Sequence, residues 1–529
     1  MRAKQLRYRT IAVVALVLPL LAFSGVAEGK KPPPPVPWTG PVPKAHCGPN
    51  DRVESGLQGQ TTLAERLNGD SERGYNCNLQ LVGQFQGEGS WWQMAWFRQC
   101  AYYGTTGGPE QQHLGVVVVD ATDPRNPQAS TYLDNSRPML NPHESLKVNT
   151  RRRLLGATGK GPDYLDPNAR QFAFYDISDC AHPKLLSEVE VPELVGHAGD
   201  FTRDGRTYYG TTVGVGWTAM DISDPTHPKK ILQWVAPGGI GAPHDMSLSK
   251  DGTRMYVAQP GNFVPFGLSG PDGLVILDVS DIQFRRPNPQ PRVISTLFWD
   301  DGGTAQQTIP VTIHGRPALI FTDETGPGAL PGFAASRAED CARGLPPFGF
   351  ARIIDISDER NPKIISKLML QVDDPANCDR VVGDFPPDTT ELEFYGYSSH
   401  YCGVDKRENP KLLACGYLGA GLRVFDIRDP YHPKEIAYYK PPARRKAFLP
   451  GSAIWFDYSG PQALTPRLAT GDRTTDRVQT QIRFRKYKGD LQIWFTSQDN
   501  GFQIVRFTNE LLARTGLDKF EQDHPGNAH

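Results

Sequence analysis

Four histidines stand at a shared distance from the segments that follow them. His143, His197 and His244 each lie 11 residues before a β-rich run, at Leu154, Tyr208 and Met255, and His400 opens a similar segment with a slightly longer turn. The same count elsewhere falls on Trp91 and Gln307, and near Ser452 in a divergent last segment. Neutral imidazoles ligate Zn, Cu, Fe and Ni, so four of them converging would hold a divalent transition metal (Zn, Cu or Fe) with its bound water. Glu144 and Asp245, each beside a histidine, are candidate second-sphere partners or general bases. In a regular strand, alternation would turn these two, and Asp200, away from the histidines. The competing role for such histidines is structural: bonding backbone carbonyls of a neighbouring unit. The chain has no GxSxG, HExxH or P-loop motif, and its GxG strings sit in β turns.

Convergence requires elements that repeat. One phrase does: apolar strand, Asp, apolar residue, Ser/Thr, Asp, short turn, basic residue, second apolar strand. It reads VVVVDATDP from Val116, FAFYDISDC from Phe172, WTAMDISDP from Trp217, LVILDVSD from Leu274, ARIIDISD from Ala351 and LRVFDIRDP from Leu422, with a degraded copy from Gly501. Asp120, Asp176, Asp221, Asp278, Asp355 and Asp426 read as turn staples, with the nearby His182, His227 and His432 in the same turns. A DG hairpin precedes the phrase in the clear cases, from His197 and His244. Four antiparallel strands per unit, here lettered a to d from the inside outward, make a propeller blade. Counting third strands predicts an all-β, seven-bladed β-propeller. The last unit stops after its third strand near Phe507, and Leu79–Gln86 resembles an unattached fourth strand. An N-terminal strand therefore closes the ring and leaves no free edge.

The strings VVVVD, LVILD, RIIDISD and LRVFDIRDPYHP resemble the LVIVD-repeat family of bacterial β-propellers over about Gln80 to Phe507. The resemblance implies the fold and an exported or surface protein, and brings no catalytic signature. In a propeller the innermost strands line the axial tunnel, so the histidines are expected at one rim. Long connections, Gly261–Gly273, Thr325–Gly349 and Val372–Gly396, open on that rim. They would roof the tunnel mouth with Trp91, Trp92, Phe263, Phe266 and Phe348. Trp91, Gln307, Phe263 and Phe348 are the candidate ligand contacts.

With 57 Lys+Arg against 58 Asp+Glu, the chain lacks the basic footprint of a nucleic-acid binder. The 53 Gly and 47 Pro exclude a helical bundle. Arg2, Lys4, Arg7 and Arg9, then apolar Ile11–Phe23, read as a signal peptide over 1–27, too short to span a membrane. A proline-rich linker and arm follow over 28–78, then the propeller over 79–509 and a tail over 510–529. Eight cysteines without CxxC suggest disulfides in an oxidising compartment: Cys47 with Cys77, Cys100 with Cys180, Cys341 with Cys378, and Cys402 with Cys415. Together these features describe a secreted, extracellular or periplasmic (cell-envelope) propeller with no integral membrane segment after cleavage. It would act as a binding module holding a small molecule, glycan or protein at its tunnel rim. The alternative is an exported metal-dependent hydrolase or oxidoreductase with His143, His197, His244 and His400 around the axis.

Overall fold

The β-branched and aromatic runs of the repeat form the third strand of each blade, buried on both faces between neighbouring blades. In the computed structural model these strands are Val116–Asp120, Gln171–Asp176, Gly216–Asp221, Gly267–Asp278, Ala351–Asp355, Leu422–Asp426 and Gly501–Phe507. Each belongs to its own antiparallel sheet, giving seven blades. The structure describes residues 40–105, 112–159, 170–193, 196–264, 267–327, 333–384, 396–444 and 475–517. The expected signal segment, the start of the expected linker, Phe266, Ser452, the side chain of Phe263 and residues 518–529 lie outside the described residues.

Ring closure is as expected. Leu79–Phe85 is the outer strand of blade 7 and pairs with Gly501–Phe507, from Leu79 opposite Phe507 to Phe85 opposite Phe502. All seven pairings of third and fourth strands carry a register shift, and in blade 7 it falls between Leu81 and Gly83. A shared bulge bends and twists each outer strand alike. At Gly83 the chain passes so close to blade 1 that a Cβ would stand 2.2 Å from the Pro124 carbonyl oxygen.

Blade 6 departs from the four-strand pattern. Tyr75–Cys77, in the N-terminal arm, adds a fifth strand along Lys434–Lys440. The arm is anchored by ion pairs. Arg423, fully buried, reaches Glu54 at 2.7 Å and Glu435 at 3.0 Å, and Arg66 pairs with Asp384 at 3.3 Å. At the other end, helix Asn509–Thr515, capped by the Thr508 side chain, buries Leu511 against blades 6 and 7.

The repeated aspartates are staples. Oδ1 of Asp120, Asp176, Asp221, Asp278, Asp355 and Asp426 accepts the amide two residues on, at 2.8–3.1 Å. His182, His227 and His432 sit exposed beside the second aspartate of their turns. All four expected disulfides form: Cys47–Cys77, Cys100–Cys180, Cys341–Cys378 and Cys402–Cys415. Such a set belongs to an oxidising environment. Among the described residues no helix is long and apolar enough to cross a membrane. All three of the expected rim loops contain regular structure, Val372–Gly396 through the short helices Pro375–Asn377, Cys378–Val381 and Val382–Asp384. Gly261–Gly273 is mostly the far end of the blade 4 hairpin, Arg254–Val264 with Gly267–Asp278, and Thr325–Gly349 contains helix Phe333–Ala342.

Candidate metal centre on the propeller axis

The residue placed at the axis is set by the ladder between the first two strands. On the third strands of blades 2, 3, 4 and 6, Phe172, Trp217, Leu274 and Leu422 lie opposite Thr158, Thr211, Ala258 and Gly416 of the second strand. The amides of those four residues bond Ser145 Oγ and the carbonyls of Ala198, Asp245 and Tyr401 on the first strand. The residues just before these four are Glu144, His197, His244 and His400, and their side chains meet.

All of them are buried. Nε2 of His197 and Nε2 of His244 are 3.0 Å apart. Glu144 Oε2 lies 3.0 Å from His197 Nε2 and 3.6 Å from His244 Nδ1, and its Oε1 lies 3.3 Å from His400 Nε2. Glu324, from the second strand of blade 5 (Arg316–Thr325), faces them with Oε1 at 3.5 Å from His244 Nε2 and Oε2 at 3.2 Å from His400 Nε2. His143 joins from the side, its ring centroid 4.4 Å from that of His197. One ligand atom each from His143, Glu144 and His197 falls within a 4.8 Å group. Trp92 stands over the cluster, 5.3 Å from the His400 ring and 6.0 Å from the His143 ring.

The four predicted histidines therefore come together, though not all at equivalent positions. Three are ring equivalents. In blade 2 the equivalent residue is Glu144, and His143 precedes it with a left-handed φ of 47°. The turn between the paired first and second strands spans 150–153 in blade 2 but 202–207 in blade 3 and 249–254 in blade 4, so a fixed count overshoots. This corrects the expectation that alternation hides Glu144: it is itself the axial residue. The same one-residue error affects Gln307 and Trp91. Gln306 is the extra residue in the ladder between Ala305 and Gln307, and its amide nitrogen lies 3.1 Å from His400 Nε2. Gln307 points to the opposite face, where its Oε1 accepts the Cys402 amide at 2.9 Å. Trp91 lies behind Trp92 at 5.0 Å. Phe348 packs on Tyr397 at 5.3 Å, in the core of blades 5 and 6. Glu324, Gln306 and the axial role of Glu144 were missed. The only sequence signal for Glu324 is the acidic pair Asp323–Glu324 closing an apolar strand.

The electrostatics are those of a buried, mixed-charge cage. Burial pushes the His400 imidazolium towards deprotonation, but hydrogen bonding and charge from Glu144 and Glu324 outweigh it and raise its pKa to about 9. Burial acts against the Glu144 carboxylate too, yet His197 and His244 hold it well below the usual range. Below this layer Asp245 Oδ2 faces Lys147 Nζ at 3.5 Å and accepts from the Tyr401 hydroxyl at 3.4 Å. Burial, with Asp200 and Glu144 nearby, pushes Asp245 up to about 7 against the pull of Lys147.

The spacing fits a coordination sphere. Donors about 2.1 Å from one ion lie about 3.0 Å apart when cis at right angles and about 3.4 Å apart in a tetrahedron. Four of the five separations among the Nε2 and carboxylate oxygens, 3.0–3.3 Å, fall in that range, and His244 Nε2 to Glu324 Oε1 is slightly longer at 3.5 Å. Imidazole and carboxylate without thiolate is the donor set of first-row divalent ions.

No family model matches the chain, and no curated protein matches its sequence. Among solved structures it is similar to the Kuenenia stuttgartiensis hydrazine synthase, with 13% identity over 81% of this chain and 96% of that one, at a TM-score of 0.45. It is also similar to the Myceliophteria thermophila Cps50 (Swd1) β-propeller domain, with 11% identity over 81% of this chain and 100% of that one, at a TM-score of 0.47.

Proposed function

We propose that the protein is an exported metalloenzyme of LVIVD-repeat type, a hydrolase or oxidoreductase. Its axial cluster would hold one divalent first-row transition ion. The observation that carries this reading is the chain of 3.0–3.5 Å contacts that links the Nε2 atoms of His197, His244 and His400 to each other and to the carboxylates of Glu144 and Glu324, residues scattered between 144 and 400. His197, His244 and His400 are the assigned nitrogen ligands, with His143 completing or flanking the set. Glu144 and Glu324 either complete the sphere or orient the imidazoles. A bound ion would supply Lewis acidity or redox chemistry. The chain's own part is to fix the donors on rigid strands, exclude water with Trp92, and keep the Lys147–Asp245 pair just below. Export is supported by the signal-like N-terminus and the four disulfides.

A second reading has its own observation. His400 Nδ1 contacts the Gln479 carbonyl of blade 7, as a ring-locking clamp would. Elemental analysis of untagged, exported protein separates the two. The metalloenzyme reading expects about one metal per chain, falling below about a tenth in a His197→Ala/His244→Ala variant that still folds. Metal-free protein that also fails to retain Fe, Cu or Zn after loading leaves only the clamp.

A further inference from the structure

The tunnel does not end at the histidines. On the opposite face, where the turns between first and second strands gather, two cavities adjoin. One, of about 90 Å³, includes Lys147, Asp245 and Gln307 in its wall. The other, of about 260 Å³, opens at the rim between blades 3 to 6. Asp200, Ser247 and Arg407 line both.

Arg407 is the unusual member. It lies on the turn after the first strand of blade 6, which is docked onto blade 5 by the Thr312 amide bonding the Arg407 carbonyl at 2.9 Å. Its Nη1 donates to the Pro310 carbonyl at 3.0 Å. Among the described residues no carboxylate lies within ion-pair distance of this guanidinium. Burial depresses its pKa, and the charge of Asp200 opposes that. A partly buried arginine that lines a cavity suits a carboxylate. The rest of the wall suits an apolar body: Phe201, Leu248, Val311 and Ile356 line the larger cavity. Arg203 and Lys250 join Arg407 against Asp200 and Glu408, so the mouth is net cationic. A cavity of roughly 150 Å³ accepts benzene, so this one has room for a ligand of about a dozen heavy atoms.

We propose that this cavity is a binding site for a small monocarboxylate, its carboxylate on Arg407 and its hydrocarbon part on the Phe201–Leu248–Val311 wall. The site stands whether or not the axial cluster holds a metal.

The test titrates the disulfide-intact protein with 3-phenylpropionate and with its neutral isostere, 3-phenylpropionamide, by calorimetry or ligand-observed NMR. The acid is expected to bind at least about tenfold more tightly than the amide, with the preference reduced in Arg407→Lys and lost in Arg407→Gln. Equal affinities for acid and amide overturn the proposal. So does a preference that survives Arg407→Gln, or the absence of saturable binding of the acid up to about 5 mM, below the weakest useful affinity class. The acid–amide comparison reads on the unmutated protein, so it stands even if Arg407→Gln does not fold.

Discussion

Removing metal and then titrating the protein exposes the charge stored in the axial cage. His400 has its pKa raised from 6.5 to about 9 in the folded chain because Glu144 and Glu324 hold the imidazolium against the effect of burial. A folded-state pKa above the unfolded one stabilises the fold fully below about pH 6.5, and that contribution is lost as pH rises through about 9. A shift of about 2.5 units corresponds to about 3 kcal/mol, of which about 2 kcal/mol disappears between pH 7 and pH 9. Two other buried groups titrate nearby, Asp245 at about 7 and Lys440 at about 8. The informative quantity is therefore the difference between wild type and His400→Gln. Denaturant unfolding of chelator-stripped protein at pH 7, 8 and 9 should show that difference shrinking by about 2 kcal/mol across the range. With metal restored, Nε2 carries no proton, and the His400-dependent fall should vanish. A difference that stays flat from pH 7 to 9 in the stripped protein refutes the geometry assigned to His400, Glu144 and Glu324.

Other substitutions probe separate parts of the account. Glu324→Gln keeps the shape but removes the charge facing His244 and His400, and should weaken metal affinity by about 10- to 100-fold in a competitive chelator titration. Asp176→Ala removes a turn staple to the Ser178 amide and should cost about 1 kcal/mol in denaturant unfolding while leaving metal content unchanged. Gly83→Ala forces a Cβ against the backbone of Pro124 and Arg125, where nothing flexible can yield, and should destabilise ring closure by about 3 kcal/mol or more, read as a lower unfolding midpoint.

The parts legible in the sequence were those encoded locally. The Asp–Ser/Thr turn repeats because the same short carboxylate caps the same backbone amide, and it marked the third and fourth strands of blades 1 to 6. Closure was legible because Leu79–Phe85 has the pattern of a fourth strand without a third of its own. Cys402–Cys415 and Cys100–Cys180 followed from placing cysteines on that repeat, whereas Cys341–Cys378 was read from two long loops and Cys47–Cys77 from the N-terminal arm. The site was readable to within about one residue, since strand register, which decides the face a side chain takes, depends on turn length and bulges. The short turn at 150–153 moved the axial position from His143 to Glu144, and the bulge at Ala305–Gln307 moved it from Gln307 to Gln306. Glu324 left no trace in the sequence beyond the acidic pair it makes with Asp323, because it arrives from a second strand and meets the histidines only once the ring has closed.

X-ray absorption at the metal edge of the native, untagged protein tests the centre most directly. The account predicts one first-row metal with a nitrogen and oxygen shell at roughly 2.0–2.2 Å and the outer-shell signature of at least three imidazoles, lost in His197→Ala/His244→Ala. A sulfur shell, a site unaffected by that double substitution, or no bound metal after loading would contradict it.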